Sequence, residues 1–209
     1  MCYNTEWIFV WWRYALMQDR PALILASASP RRRELLAMTG LPFTVDAPEV
    51  DEACALPPRE AVAEISRRKA LAGAAAHPEC VVLAADTLVA VDNAALGKPH
   101  DEDDAARMLR LLSGRWHQVY TGVCVIGPDG SLHSAVDATD VRFADMSEEA
   151  IRRYIATGEP MDKAGAYAVQ GIAGLWIEEL RGSHTNVIGL PLALTRRLLE
   201  DCGLRPLGD

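Results

Sequence analysis

A short apolar run, Ala22-Leu23-Ile24-Leu25-Ala26, leads directly into Ser27-Ala28-Ser29-Pro30, and this junction constrains the fold more than any other feature of the chain. The run reads as a short buried strand. A helix follows at once, because Ser29 is a good N-cap, Pro30 suits the first helical position and Gly40 stands just past the end. Strand and helix patterns then keep alternating. Phe43-Thr44-Val45 predicts a strand, residues 46–58 an acidic loop containing prolines, and residues 59–76 a long alanine-rich helix. Val81-Val82-Leu83-Ala84-Ala85 predicts a second buried strand that ends at Asp86, with residues 88–91 extended beyond it and a turn at Asp92-Asn93. Residues 101–112 predict a helix with acids in its first turn, Gly114 near its end, and Ala105, Met108, Leu109 and Leu112 on one face. Strands near 117–126 and 132–143 flank Gly127-Pro128-Asp129-Gly130, a hairpin signal. Ser147 caps a helix to about residue 157, stopped by Gly158, and a last helix spans about 191–202. With 209 residues and half of them hydrophobic, the chain is expected to form one mixed α/β domain.

Residues 1–20 differ in kind. Six of the thirteen aromatics lie between Tyr3 and Tyr14, among them Trp7, Trp11 and Trp12. Glu6 precedes the apolar run and Arg13 interrupts it, which makes a poor signal peptide and a segment too short to span a membrane. It also lacks the Lys/Arg-rich face of an interfacial helix. The expectation is an extension from an upstream start codon, with Met17 as the natural first residue and residues 21–209 as the domain.

A formal net charge of -8 argues against sequence-blind nucleic-acid binding, so any polyanionic substrate needs cations gathered locally. The five cysteines (2, 54, 80, 124 and 202) are odd in number, scattered and without a Cys-x-x-Cys pair. That is neither a disulfide framework nor a zinc site, and it fits a reducing, cytoplasmic compartment. No His-x-x-x-His spacing is present either.

Several positions could carry chemistry. Arg31, Arg32 and Arg33 follow Ser27 and Ser29 in the first turn of a helix, where cations oppose the macrodipole. A bound anion resolves that conflict, and a plain capped helix with solvated arginines is the competing explanation. Lys69 shares the face of Val62, Ile65, Ala72 and Ala76 and either snorkels outward or points into a cleft. Asp86, at the expected end of a buried strand, is either a turn residue or a carboxylate placed to hold a cation or take a proton from water. Lys98 stands on a Gly-Lys-Pro turn, and Glu49, Asp51 and Glu52 are loop acids of the kind that are usually solvated. There is no Gly-x-x-x-x-Gly-Lys-Ser/Thr and no Gly-x-Ser-x-Gly, which excludes a P-loop and weakens a serine-hydrolase reading. From the residues alone the reading stops at a phosphate-handling cleft.

These segments, in this order, resemble the Maf family of nucleotide pyrophosphatases. The motifs are Ser27-x-Ser29-Pro30-Arg31-Arg32, Asp51-Glu52, Lys69, Ala85-Asp86-Thr87 and Gly97-Lys98-Pro99. They continue through Leu112-Ser113-Gly114, Tyr120-Thr121-Gly122-Val123, Asp162-Lys163-Ala164-Gly165-Ala166-Tyr167 and Gly189-Leu190-Pro191. The resemblance covers about residues 22–203. It implies a two-lobed α/β, inosine-triphosphatase-like fold with an elongated mixed central sheet and a cleft between the lobes. It also implies hydrolysis between the α- and β-phosphates with Mg²⁺ or Mn²⁺, and a homodimer. Carried over, Asp86 is the general base or the activator of metal-bound water, and Glu52 a metal or water ligand. Arg32, Lys69 and Lys98 clamp the phosphates, and Ser27 and Ser29 line their site. Arg31, Thr87 and Gln170 resemble the branch acting on dTTP and UTP, whereas a branch preferring 7-methyl-GTP tends to carry Trp-Gln-Glu. The Gln170 amide offers both an acceptor and a donor to the N3–H and O4 edge of thymine or uracil, and a glutamate cannot donate to O4.

Asp162 and Lys163 are expected to form an internal ion pair shaping the cleft. His100, His117 and His184 are expected on the surface or in loops. Two other functions remain open: a pyrophosphatase for modified nucleotides, and a non-enzymatic regulator of septum formation.

Overall fold

The computed structural model describes residues 22–207. The extension expected over residues 1–20, Met17 included, lies outside the described residues. The chain runs β1 (Leu23–Leu25), α1 (Pro30–Ala37), β2 (Phe43–Val45), α2 (Pro58–Ala76), β3 (Val81–Val91), β4 (Ala94–Leu96) and α3 (Glu102–Leu112). It continues with β5 (Trp116–Ile126), β6 (Leu132–Phe143), α4 (Glu148–Ile155), β7 (Ile177–Arg181), α5 (His184–Ile188) and α6 (Leu192–Asp201). Three short 3₁₀ turns, at Glu159–Asp162, Ala164–Ala166 and Ile172–Trp176, connect α4 to β7.

The strands form one seven-stranded mixed sheet in the order β2-β1-β3-β5-β6-β7, with β4 on β3. β1 is parallel to β2 and β3, and the remaining pairs are antiparallel. The long β5–β6 hairpin turns between Ile126 and Leu132, as its Gly-Pro-Asp-Gly segment predicts.

β3 does not end at Asp86. It runs unbroken through Asp86 and Thr87, which pair with Gly122 and Thr121 of β5. What ends there is the neighbour on its other edge. The β1 ladder stops at Leu25 opposite Leu83, with one further bond from the Ala26 N–H to the Leu83 carbonyl at 2.8 Å. β4 takes up the same edge only at Val89. Between them β3 has an edge that no strand covers among the described residues, and Asp86 lies in that gap. The ligand position expected outside a strand's carboxyl end therefore belongs to β1, whose end opens beside Asp86.

The apolar core divides at the same place. Leu23, Leu25, Val81, Leu83 and Ala85 pack with α1 and α6, and Ile24, Val82 and Ala84 pack with Ala70 of α2 on the opposite face. Beyond the gap, Val89 and Val91 join a second core built with α3, α4, Phe143 and Tyr167. The Thr87–Leu88 step of β3 is the half-buried seam between these two lobes.

Two local devices seat the helices. The α3 face of Ala105, Met108, Leu109 and Leu112 is buried as its spacing predicts, and Asp101 caps it through the Asp104 N–H. α2 lies directly on the sheet because Gly122 has no side chain: a Cβ there would sit 2.2 Å from the Val62 carbonyl oxygen. The buried side of α2 is Ala61, Val62, Ile65, Ser66, Ala70 and Gly73, so the stripe drifts off the expected Ala72 and Ala76, and Ala76 is exposed.

His117 differs from expectation. It is fully buried on β5, where its Nε2 lies 2.8 Å from the Tyr167 hydroxyl and its ring meets Phe143 and Tyr167 edge to face. The reason is strand alternation, since His117, Val119 and Thr121 all point inward. His100 and His184 are exposed.

Candidate active site

The gap beside β3 opens into a cleft of about 520 Å³, and residues from both lobes line it. The phosphate candidates Ser27, Ser29, Arg32, Lys69 and Lys98 all face it, as do the carboxylates of Asp86 and Glu52. Arg31, Thr87 and Gln170 also lie on its wall.

At the centre, Lys69 does not snorkel. Its side chain is 12% exposed, and its ammonium lies 2.8 Å from an Asp86 oxygen and 2.8 Å from a Glu52 oxygen. Asp86 is buried, whereas Glu52 stands exposed at the mouth on the loop before α2. Burial raises the Asp86 pKa above its ordinary value, and the neighbouring Lys69 and Arg32 charges only partly oppose it. A carboxylate so placed is a stronger base than a solvated aspartate, and cations hold it in position.

Arg32 is fixed at every corner. Its Nε donates to the Gly189 carbonyl at 2.9 Å, one terminal nitrogen to Ser27 Oγ at 3.1 Å and the other to Thr87 Oγ1 at 3.1 Å. Gly189 adopts φ 126°, a conformation L side chains rarely take, which turns its carbonyl to the arginine. Burial lowers the Arg32 pKa, with the Asp86 carboxylate opposing. The helix end itself offers less to an anion than the sequence suggests. Pro30 has no N–H, and the Ser29 hydroxyl already accepts that of Arg32. Side chains, more than free backbone groups, make this end of the cleft cationic.

Lys98 extends from the exposed turn after β4, which the Gly165 N–H holds to the second lobe through the Gly97 carbonyl at 3.0 Å. Lys98 itself makes no hydrogen bond or ion pair among the described residues. Gln170 is exposed, and its amide is likewise bonded to none of them. Arg31 reaches across the cleft to Asp162 at 3.1 Å, and Asp162 also contacts the Lys163 ammonium. The expected Asp162–Lys163 pair forms on the cleft wall, with the carboxylate 64% exposed at the rim and the Lys163 side chain 15% exposed beneath it. Asp162 closes its 3₁₀ turn at the lobe boundary, where two cations from opposite sides satisfy it. Around the cleft, cationic side chains outnumber carboxylates although the whole chain is acidic.

Among the described residues no group of three or more His, Cys, Asp or Glu side chains could hold a metal ion. Asp86 and Glu52, drawn to one ammonium, form a smaller set. Two carboxylates suit a hard cation that keeps waters and takes its other ligands from phosphates.

Gly189 and Thr121 stand in motifs that carry the family resemblance, but the sequence assigned no role to the Gly189 carbonyl or to the inward-facing Thr121 hydroxyl. The period-two alternation of β5 would have exposed the second, and nothing in the Gly189-Leu190-Pro191 motif points to its distant partner Arg32.

Residues 22–202 match the family model described as Maf-like protein. The chain belongs to the Maf family. A dTTP/UTP pyrophosphatase of Sphingopyxis alaskensis is 52% identical over 191 residues, covering 90% of this chain and 100% of that protein. A dTTP/UTP pyrophosphatase of Anaeromyxobacter dehalogenans is 50% identical over 188 residues, covering 88% of this chain and 95% of that one. Among solved structures, the Staphylococcus aureus Ham1 protein aligns with a TM-score of 0.54 at 16% identity, over 86% of this Maf chain and 98% of that one. The last is a likeness of fold.

Proposed function

We propose that this Maf protein is a nucleoside triphosphate pyrophosphatase that hydrolyses dTTP and UTP to the monophosphate and pyrophosphate, a house-cleaning activity on nucleotide pools. One observation carries the reading: the buried Asp86 carboxylate, its basicity raised, stands against Lys69 in a cleft ringed by Arg31, Arg32, Lys98 and Lys163. Relatives about half identical in sequence are named for this activity.

The triphosphate enters with its phosphates toward Arg32, Lys69 and Lys98, whose charges neutralise the chain and orient it. Ser27 holds Arg32 in place, and Ser29 caps the helix that carries it. Asp86 takes a proton from water as the water oxygen bonds to the α-phosphorus and the bond from that phosphorus to the α–β bridging oxygen breaks. The bridging oxygen then leaves with pyrophosphate, and Asp86 returns the proton to solvent. Asp86 and Glu52 would hold a divalent cation, Mg²⁺ or Mn²⁺, which supplies charge neutralisation at the phosphates. Arg31, Thr87 and Gln170 select the nucleotide, with the free Gln170 amide offering a donor and an acceptor to a pyrimidine edge.

A homodimer belongs to this reading on the strength of the family resemblance. The free thiols of Cys54, Cys80, Cys124 and Cys202 support a reducing, cytoplasmic setting. No helix among the described residues is long and apolar enough to cross a membrane.

The test is pyrophosphate release across a panel of canonical and modified triphosphates with Mg²⁺ or Mn²⁺. The reading expects dTTP and UTP to lead the panel. Preference for a modified nucleotide would replace the substrate and keep the reaction, and no release from any triphosphate would refute both.

A further inference from the structure

We infer that Thr121 is a positioning residue for Arg32, acting through Thr87. Thr121 is fully buried on β5 and does not reach the cleft, yet it stands directly opposite Thr87 in the antiparallel ladder. Their hydroxyl oxygens are 2.9 Å apart. On one side, Thr87 Oγ1 accepts a hydrogen bond from Arg32 at 3.1 Å. On the other, Thr121 Oγ1 donates to the Asn186 carbonyl at 3.0 Å.

Proton counting sets the direction of this chain. Each hydroxyl carries a single proton. The Thr121 proton goes to Asn186, so Thr121 can only accept from Thr87. The Thr87 proton therefore points away from the cleft, and its lone pairs face the guanidinium. The far end of the relay is anchored as well. The Asn186 side chain donates to the Val119 carbonyl and to Thr139 Oγ1, each at 2.9 Å, which holds its own backbone carbonyl in register. An oriented acceptor matters here because Arg32 contacts no carboxylate directly. Gly189, Ser27 and Thr87 define the plane of its guanidinium, and its remaining N–H groups are left for phosphate oxygens.

Valine at position 121 keeps the shape and removes the acceptor. The Thr87 proton then loses its acceptor, so the direction of the Thr87 lone pairs toward Arg32 is no longer fixed. Through the Thr87–Arg32 contact Thr121 supports phosphate handling, separately from the part Thr87 takes in selecting the nucleotide. The kinetic part of this inference rests on the pyrophosphatase reading, but the arginine geometry does not.

The experiment uses the full chain with Thr121→Val, Thr121→Ser, Thr87→Val and the double variant T87V/T121V. Nitrogen-15 NMR of the Arg32 guanidinium is recorded beside turnover of dTTP and UTP. The wild type should show separate, slowly rotating terminal N–H signals for Arg32, which merge in T121V and T87V and stay separate in T121S. In T121V, kcat/KM should fall about tenfold and equally for dTTP and UTP, with T121S within about threefold of wild type. The double variant should match T87V alone. Unchanged Arg32 signals in T121V, a shifted dTTP-to-UTP ratio, or a further loss in the double variant would overturn the inference. If valine does not fold, Thr121→Cys takes its place, since it keeps the volume and weakens the acceptor. A wild type with no turnover refutes the pyrophosphatase reading, and the Arg32 signals alone then decide for or against the relay.

Discussion

Lys69 spends its charge inside the fold: its ammonium is 2.8 Å from an Asp86 carboxylate oxygen, at the edge of the buried face of α2. Glu52 approaches the same ammonium from the exposed loop, at 2.8 Å. A desolvated carboxylate needs a counter-charge, and here a side chain provides it. The two acids that suit a divalent cation are thus already occupied by a cation of the protein's own.

Competition between Lys69 and metal follows. Replacing Lys69 with Met should strengthen Mn²⁺ binding to the nucleotide-free protein by about tenfold, because one positive charge in contact with both acids is gone. Lys98→Met, which removes a charge without touching either acid, should change it much less. Free Mn²⁺ counted by electron paramagnetic resonance checks this, and identical affinities in K69M and wild type would remove Asp86 and Glu52 as ligands.

Burial of His117 predicts an acid-labile fold. Burial of the ring lowers the imidazole pKa from 6.5 to about 3. The unfolded chain binds a proton near 6.5 that the native state refuses until about 3. The stability linked to His117 is therefore whole above pH 6.5 and drains away as pH falls toward 3. Between about pH 7 and about pH 4 the wild type should lose about 3 kcal/mol more than His117→Asn, read from urea unfolding. Equal losses in the two proteins would contradict the assignment.

Gly122 sets the distance between α2 and the sheet. In Gly122→Ala the new methyl would meet the Val62 carbonyl oxygen at 2.2 Å, so the helix must lift and carry Lys69 with it. We expect a loss of about 2–3 kcal/mol in unfolding free energy, together with weaker turnover. A variant as stable as wild type would show that the close packing is dispensable.

Much of the fold was legible because its signals are local. The Ser29 cap, the Ser147 cap, the α3 face and the β5–β6 turn each depend on residues a few positions apart. Lys69 was legible as an anomaly, a charge on an apolar face. The errors share a non-local cause. Asp86 looks like a strand end in sequence because alanines give way to polar residues there, but β5 pairs straight through it and the gap arises from where β1 stops. His117 is polar, yet its place in the β5 alternation buries it. The stretch between α4 and α6, with three 3₁₀ turns, β7 and α5, lacks both helical and alternating periods, so its turns and short strand escaped prediction. The grip of Gly189 on Arg32 spans 157 positions of chain and leaves no trace in either neighbourhood.

Gln170 is the residue most open to a selectivity test, since it is exposed and bonded to no described residue. Gln170→Glu keeps the shape and removes the donor. We expect kcat/KM for dTTP and UTP to fall by about tenfold to a hundredfold with no change in thermal unfolding. Undiminished turnover of both nucleotides would place base recognition elsewhere.

The central claim, that Asp86 readies water for attack across the α–β bridge, is tested most directly by identifying the products made from dTTP by wild type and Asp86→Asn side by side. The account predicts dTMP and pyrophosphate from the wild type and a rate about a hundredfold or more lower in a folded Asp86→Asn protein. Formation of dTDP and inorganic phosphate, or an Asp86→Asn protein as fast as wild type, would contradict it.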